Sequence, residues 1–458
     1  MAANITNSTI TLDQEKFLVN KLLDRSSLRL VMGGLCDNIN MREGAGLTAY
    51  MVRYKRMFVP LTALSEGTTP TQAAAFTLEE VTVTLDQWGD YLELTDIVQL
   101  TVKHPIMTQV TELLADNAAR VMDREIMIVM LAGTNVQYGD ASVTTRATIT
   151  SAMTLNESII QKVRVTMVNA GAPPRGGPST DAKQVATTGN FLGTQNYVAV
   201  CGPEVIGDIT RPSTSFGSWA SAATYANAKA LYATEVGTWA NVRFVETNFI
   251  PKFVLLGNTT TAVASGAAFG TDTPVVTGTS DGLYDTGTIG FKVTRKDKLR
   301  GFEEAISIPH TQASAHATTG GFTFNFSSLT AGYVYNLYMD SVEAGGSTTD
   351  ALLKLHTANI EVGTTVAVTT LATGAAAPAG LRNSGDGLDP AAVHPVFVVA
   401  EAALAWAGFY KSKVLMSPTG ATKDDPLAQR RTIGYKFFGK AVIKDQTRLL
   451  RLEVASTY

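Results

Sequence analysis

The sequence predicts an α+β fold in which an extended hairpin and a long helix precede a mixed body with a β-rich insertion. Residues 77–96 alternate apolar and polar side chains with period two, as is typical of a half-buried strand. Residues 104–133 repeat apolar side chains every three and four positions, which predicts one long amphipathic helix. Residues 256–390 hold eighteen of the 39 glycines and no long helical pattern, so we expect strands there.

Composition argues against several classes of protein. Lys plus Arg number 37 against 40 Asp plus Glu, and the net charge of −3 argues against a protein that mainly condenses DNA. The two cysteines, Cys36 and Cys201, form no metal-binding or disulfide pattern. We expect Cys201, which follows an apolar strand, to be a buried small side chain rather than a nucleophile. The first twenty residues contain no apolar run that would make a signal peptide.

The hairpin is unusual because its tip has little core-forming material. Residues 46–60 and 77–96 form its two arms, and the small, polar segment LTALSEGTTPTQAAAF joins them. A two-stranded hairpin is marginally stable alone in water. We therefore expect this one to lie on a neighbour, and an ordinary hairpin on a larger sheet stays the alternative.

The body alternates helices with strands. A helix is predicted over 154–171, and its start is a capping box in which Thr154 stands three residues before Glu157. A buried strand at 196–201 is expected to lead into a further helix.

Two later segments complete this pattern. SWASAATYANAKALYA predicts a short helix before the strand VRFVETN. In VHPVFVVAEAALAWAGF, residues 393–409, we expect the buried strand VFVVA and then a helix, EAALAWAGF. This stretch is shorter than the ~20 residues that a membrane span needs.

The β-rich insertion contains a motif of known sandwich folds. FTFNF, VYNLYMDSV, ALLKLHTANI and TTVAVTTL predict strands. Between the first two, Leu329, Gly332 and Tyr335 match the L-x-x-G-x-x-Y tyrosine corner of fibronectin-III and immunoglobulin-like domains. The match implies that Leu329 fills the core and that the Tyr335 hydroxyl bonds the turn backbone. A generic β-rich insertion is the alternative.

The residues offer no pattern of an enzyme. No two of the five histidines have the helical spacing of a zinc site, and the chain has no G-x-S-x-G, P-loop or G-x-G-x-x-G motif. His310 and His316 share a loop-like stretch, where a solvated loop is favoured over a metal pair. We expect no catalytic, cofactor-binding or metal-binding residue.

The order of elements and the amino-acid sequence of several segments resemble those of the major capsid proteins of tailed phages, which have the HK-ninety-seven type fold. LSEGTTP followed by VTVTLDQWGDYLELTD resembles the hairpin of the N-four-like phage capsid family. DNAARVMDREIM resembles that family's long helix, and DPLAQRRTIGYKFFGKAVIKDQTRLLRLEVAS its closing segment. The resemblance spans residues 1 to about 255 and 391–458.

This resemblance implies an assignment of domains. They would be an N-terminal arm at 1–45, an E-loop hairpin at 46–98, a spine helix with P- and A-domain parts at 99–255, an inserted immunoglobulin- or fibronectin-III-like β-sandwich at 256–390, and returning A/P-domain strands at 391–458.

It also implies a function and partners. The chain would be a non-enzymatic major capsid protein that assembles itself, as hexamers and pentamers, into an icosahedral head around double-stranded DNA, without sequence specificity. The expected partners are a portal, a separate scaffolding protein and a cement or decoration protein. No membrane partner is expected, and shells would assemble in the host bacterial cytoplasm.

The hairpin tip, with Leu64, Glu66, Gly67 and Pro70, would contact a neighbouring subunit. Residues 57–78 contain no lysine, so covalent chainmail is not carried over. An encapsulin-like nanocompartment shell and an immunoglobulin-like surface adhesion protein are the alternatives.

One stretch near the end allows two interpretations. QRRTIGYKFFGK mixes basic and aromatic residues, as a single-stranded nucleic-acid platform would. As a strand, it would place Ile433, Tyr435 and Phe437 on one face. We expect the strand, with a partner strand returning through a turn at 444–446. Residues 425–458 carry seven basic and three acidic side chains. In a shell subunit this surplus would face an acidic patch on a neighbour, and the genome is the alternative.

Overall fold

The structure is a computed structural model that describes most of the chain. The described residues are 31–42, 44, 46–54, 76–101, 106–175, 196–210, 220–221, 234–256, 267–268, 273–284, 288–307, 310–313, 320–327, 329–340, 353–368, 392–409, 413–416, 426–427 and 429–457. They fall into two compact units. The first unit holds the described residues of 32–129 and 402–445, and the second unit holds residue 31 and the described residues of 130–401 and 446–457.

The described chain is rich in strands. Its helices are α1 (Asp96–Thr101), α2 (Ile106–Leu131), α3 (Glu157–Asn169) and α4 (Pro203–Thr210), with 3-10 turns at Met32–Leu35, Arg146–Thr148 and Gln446–Arg448. Its strands are β1 (Cys36–Asn40), β2 (Thr48–Tyr54), β3 (Leu78–Thr84), β4 (Asp86–Thr95), β5 (Val136–Tyr138), β6 (Tyr197–Cys201), β7 (Ala220–Ser221), β8 (Glu235–Trp239), β9 (Val242–Glu246), β10 (Val254–Leu256), β11 (Ala267–Ala268), β12 (Val275–Tyr284), β13 (Thr288–Asp297), β14 (Glu303–Ser307), β15 (His310–Ala313), β16 (Gly320–Asn325), β17 (Tyr333–Asp340), β18 (Leu353–Glu361), β19 (Thr365–Val368), β20 (Val393–Val399), β21 (Leu404–Gly408), β22 (Lys413–Met416), β23 (Arg430–Ile443) and β24 (Leu449–Ala455).

The first unit is built on the long strand β23. Strands β4, β21 and β22 all pair antiparallel with β23, and β1 adds to β21 in parallel. Along β23 the side chains of Ile433, Tyr435 and Phe437 are buried, while Lys436 between them is exposed. The predicted strand and its period-two burial are therefore confirmed.

The long helix α2 confirms the predicted helix over most of its length. His104 and Pro105, at the predicted start, lie outside the described residues. Val110, Leu114 and Ile126 recur at helical spacing and are buried. On the same helix the buried carboxylate of Asp123 accepts hydrogen bonds from the backbone N–H groups of Met32 (3.2 Å) and Gly33 (3.0 Å). Asp123 thereby fixes the segment that leads into β1.

The prediction of a helix for EAALAWAGF is wrong, because this segment is a turn followed by strand β21. Ala402 turns the chain with a φ of 53°. Strand β21 then runs between β1 and β23, and all five of its residues are buried. Alanine favours helices in isolation. Between two strands, however, the backbone N–H and C=O groups of β21 find hydrogen-bond partners on both sides, and this overrides the helical preference.

The main sheet of the second unit has the order β5-β24-β20-β6-β9-β8-β7. The whole of β20 is buried, which confirms the predicted strand VFVVA. The predicted strands β6 and β9 and the helix that follows β6, which is α4, are confirmed as well. Helices α3 and α4 pack on this sheet through a shared apolar core that includes Ile160, Val163, Val205 and Ile209.

A buried ion cluster supports the edge of the same sheet. Glu453 on β24 is fully buried. Its carboxylate oxygens lie 2.7 Å from Nε of Arg146 and 2.9 Å from Nε of Arg451. The Arg146 guanidinium also stands 4.2 Å from the ring centroid of Phe253. Because a buried carboxylate is costly without partners, Glu453 depends on both arginines.

Two predicted helix signals need correction. Helix α3 begins at Glu157, and its N-cap is Asn156, whose side chain accepts from the N–H of Ile159 at 3.1 Å. Thr154 instead forms an isolated bridge with Ala455, so it is not part of a capping box. Of the helix expected before VRFVETN, the structure describes only β7, a short strand, and the rest lies outside the described residues.

Two predicted strand pairings also need correction. The arm expected as one strand over 77–96 is divided at Leu85 into β3 and β4, which belong to different sheets. The strand after the turn at 444–446 does not return along β23. Strand β24 pairs instead with β20 and β5 in the second unit, because its alternate apolar side chains fill that core.

The β-rich segment of the second unit consists of two sheets that share one core. One sheet has the order β10-β14-β13-β17-β18, with β15 on β13, and the other has the order β11-β12-β16-β19. The rings of Phe291 and Phe324 meet edge to face between them, with centroids 5.2 Å apart. The four strands expected from the sequence are all present as β16 to β19.

The tyrosine-corner residues lie at the edge of this core. Leu329 packs against it, Gly332 has a φ of 93°, and Tyr335 is fully buried with its ring 5.6 Å from that of Phe326. The hydroxyl bond to the turn backbone and the immunoglobulin-like identity of the insertion stay predictions.

Candidate assembly surface

Strands β2 and β3 form a two-stranded ribbon, hereafter the ribbon. They pair antiparallel from Thr48 opposite Thr84 to Tyr54 opposite Leu78, and neither pairs with another strand of the described chain. The predicted hairpin pairing is thus confirmed for residues 48–54 and 78–84 of the two arms. A ribbon of this kind has two faces and too little core of its own.

The inner face of the ribbon is anchored within the first unit. Ala49 and Val83 are buried there beside Leu85 and Ala407, and Met51 packs against the same cluster. Side chains of β1, β21 and β23 complete this small core. The ribbon base is therefore held by ordinary apolar burial.

An ion pair on the inner side fastens the ribbon further. Arg53 and Glu79 stand directly opposite each other, and their side chains are 2.6 Å apart. Arg53 also bonds the carboxylate of Asp445, just beyond the end of β23. The hydrogen bond to Glu79, assisted by Asp445, raises the pKa of Arg53 above its ordinary value.

The outer face of the ribbon carries large exposed apolar side chains, with the exposed Glu80 and Thr82 among them. Tyr50, Val52 and Tyr54 alternate along β2 and are 66%, 58% and 69% exposed. Leu78 and Phe76 continue this face on the other arm, and the ring centroids of Tyr54 and Phe76 are 5.8 Å apart. A group of large exposed apolar side chains on one face is typical of an interaction site. This outer face is the candidate contact with another chain.

The predicted tip residues Leu64, Glu66, Gly67 and Pro70 lie outside the described residues. Their contact with a neighbour therefore stays a prediction. The described arms end at Tyr54 and resume at Phe76.

A second exposed apolar surface lies in the first unit, in a shallow groove over β4, β22 and β23. Tyr91, Leu415 and Met416 line it and are each more than half exposed. Gly434 also lines the groove. A side chain does not fit at this position, because an added Cβ would stand 2.9 Å from both Cβ of Tyr91 and the carbonyl oxygen of Asp90. Sequence reasoning missed this surface, although Leu415 and Met416 are adjacent apolar residues beside a glycine-containing strand.

The basic residues of β23 are largely engaged within the chain. Arg430 lies 3.1 Å from the carboxylate of Glu93 on β4, and Lys440 lies 2.7 Å from that of Asp86. Lys444, next along the chain, lies 2.9 Å from Asp37. The aromatic rings at 435 and 437 face the interior. These contacts disfavour the nucleic-acid platform, whose cations and rings must be free to meet phosphates and bases.

The groups that could carry other chemistry are isolated. Cys201 is fully buried, as expected, and burial raises the pKa of its thiol. Within the described ranges, no three His, Cys, Asp or Glu side chains cluster closely enough to hold a metal ion. No helix among the described residues is long and apolar enough to cross a membrane.

Comparison with known proteins agrees with this architecture. The model of a family described as phage capsid protein matches residues 79–298, from β3 in the ribbon to the end of β13. No curated protein matches the chain by sequence.

Solved phage capsids share the fold. The capsid of Ralstonia phage GP4 aligns with a TM-score of 0.51 at 10% identity, covering 100% of this chain and 99% of that one. The head of Helicobacter pylori bacteriophage KHP40 aligns at 0.50 and 9% identity, covering 99% and 98%. The acid-stable capsid of H. pylori bacteriophage KHP30 aligns at 0.50 and 10% identity, covering 99% of each chain. The chain has the α+β fold of phage capsid proteins, as the sequence predicts, and over 79–298 it resembles that family.

Proposed function

We propose that the chain is a structural major capsid protein that forms the shell of a phage head. The single observation that carries this function is the ribbon, which is anchored on its inner face and presents five large apolar side chains outward. Within a shell, another copy of the chain covers that outer face. The family match and the capsid fold support the same conclusion.

The ribbon acts as the E-loop of an HK-ninety-seven type subunit, and the chain falls in the N-four-like branch of that fold. The tip around Leu64 and Pro70 extends the contact onto the neighbouring subunit. Each subunit both gives and receives one such contact, so modest interfaces repeat around hexamers and pentamers and add by multivalency. Closed symmetry then limits the size of the assembly.

This role also assigns a part in the subunit to the other structural elements. The sandwich of β10 to β19 is an immunoglobulin-like insertion, and helix α2 is the spine of the P domain. A separate scaffolding protein and a portal direct assembly in the host cytoplasm, and the finished virion shell encloses double-stranded DNA without reading its sequence. The chain performs no catalysis.

Electron microscopy of the purified protein tests this function. We expect closed, uniform particles from the wild-type chain and unassembled, folded protein from the double variant Tyr50→Ser, Tyr54→Ser. Leu299→Ser is the matched control, since Leu299 is similarly exposed but lies in the sandwich segment. A wild-type protein that stays monomeric and binds a cell surface would support the adhesion alternative, whereas closed shells that load a protein cargo would support the nanocompartment.

A further inference from the structure

A buried polar cluster lies on the face of β13 and β17 that points away from the sandwich core. Phe291 and Val293 of β13 belong to the core, so Lys292 and Thr294 point to the opposite face. Both are fully buried there. A lysine with no exposed surface is rare in proteins, and it calls for a specific chemical environment.

Glu303 of β14 joins the members of this cluster. Its Oε1 atom accepts a hydrogen bond from the Thr294 hydroxyl at 3.1 Å and from the Tyr338 hydroxyl at 3.3 Å. It also accepts a bond from Nδ2 of Asn336. Burial, followed by the charge of Glu303, raises the pKa of Tyr338 above its ordinary value.

The carboxamide of Asn336 is held at both ends. While its Nδ2 donates to Glu303, its Oδ1 accepts from the backbone N–H of Asn359 at 2.8 Å. A fixed N–H at a carbonyl oxygen stabilises the negative charge that develops there when a nucleophile adds to the carbon. A carboxylate at the amide nitrogen is placed to carry a proton to it as the nitrogen leaves.

Strand pairing makes Lys292 a neighbour of this carboxamide on the same face. Strand pairing sets Lys292 opposite Tyr338 and Thr294 opposite Asn336. Lys292 and Asn336 are therefore diagonal neighbours on one face, about 7–8 Å apart at the backbone, a separation that long side chains bridge. Desolvation of a lysine amine favours its neutral, nucleophilic form.

We propose that Lys292 and Asn336 join in an intramolecular isopeptide bond that braces the two strands of the sandwich. The Lys292 Nζ atom adds to Cγ of Asn336, and the oxygen of the adduct is held by the Asn359 N–H. Glu303 takes a proton from Nζ and passes it to Nδ2. The Cγ–Nδ2 bond then breaks, one ammonia leaves, and a secondary amide links the side chains.

The reaction consumes no oxidant, reductant or cofactor, since one C–N bond replaces another. Glu303 ends in the charge state in which it began. The bond would close a covalent loop across adjacent strands, which restricts the unfolded chain. The proposal does not depend on the role of the protein in a shell, because the cluster lies wholly within the sandwich.

The mass of the intact, fully denatured wild-type chain tests the proposal. We expect it to fall below the mass calculated from the sequence by one ammonia molecule. Peptide mapping should find the segment around Lys292 joined to that around Asn336. A full sequence mass, or a deficit that maps to other residues, would overturn the proposal and leave a non-covalent buried cluster.

Variants add the chemical detail. Lys292→Ala, Asn336→Ala and Glu303→Ala should each restore the full mass. The controls Lys296→Ala and Asn325→Ala, a lysine on β13 and an asparagine on β16, should keep the deficit. If a variant does not fold, the mass and peptide map of the wild-type chain still decide.

Discussion

Substitution of Tyr50 by serine tests the outer face of the ribbon without disturbing its base. Tyr50 is 66% exposed and stands opposite Thr82, so serine removes ring area that the chain itself does not bury. A tyrosine buries about 150–250 Å² when covered, of which about 100–150 Å² remains for a partner here. At about 25 cal/mol per Å², this area stabilises each contact by roughly 2.5–4 kcal/mol.

That free energy predicts a weaker association by roughly 60- to 700-fold per contact. Sedimentation velocity over a concentration series gives the protein concentration at which half the chains are assembled, and Tyr50→Ser should raise it strongly. Circular dichroism and the melting temperature of the unassembled protein should not change. The reasoning is refuted if the assembly midpoint stays at the wild-type value, or if the variant loses monomer stability while Leu299→Ser does not.

Three further substitutions test the packing within the two units. Glu453→Ala should destabilise the second unit by about 3–5 kcal/mol in urea unfolding, since it leaves two arginines without their buried carboxylate; a loss below 1 kcal/mol would contradict this. Gly439→Ala should lower the melting temperature, because its Cβ would clash with Cζ2 of Trp406, and an unchanged value would show that the ring moves freely. Burial lowers the pKa of His394 below its ordinary value of 6.5. The unfolded state then binds more protons below that pH, so stability should fall on acidification from about pH 6.5, and His394→Asn should flatten that dependence.

Much of the fold follows from local patterns in the sequence. Alternation of apolar and polar residues locates the ribbon arm β3, and apolar residues at helical spacing locate α2. Short runs of β-branched and aromatic residues locate the strands of the sandwich. These signals are reliable because each element buries one face against its own unit. The phage capsid fold follows from their order and from the segments that resemble the family.

The errors share a physical cause, which is tertiary placement. EAALAWAGF has helical propensity, yet β21 lies buried between two strands. The tail has the residues of a hairpin, yet β24 is better buried in another sheet, where Leu450, Leu452 and Val454 fill the core. Neither outcome can be derived from a window of neighbouring residues, because the deciding contacts are distant in sequence.

The candidate surface could be predicted only in part. An unsupported hairpin is visible in the sequence, but its exposed face is not. In TAYMVRY both faces carry apolar side chains, so periodicity cannot tell Ala49 and Met51, which pack inward, from Tyr50, Val52 and Tyr54, which face out. The groove beside Tyr91 escapes prediction for a similar reason, since it depends on the pairing of three separate strands.

The central claim is that another copy of the chain covers the outer face of the ribbon. A cryo-electron-microscopy map of assembled particles at side-chain resolution measures this directly. The predicted result is a shell in which Tyr50, Val52 and Tyr54 are buried against an adjacent copy. A shell in which these three side chains remain open to solvent would contradict the claim.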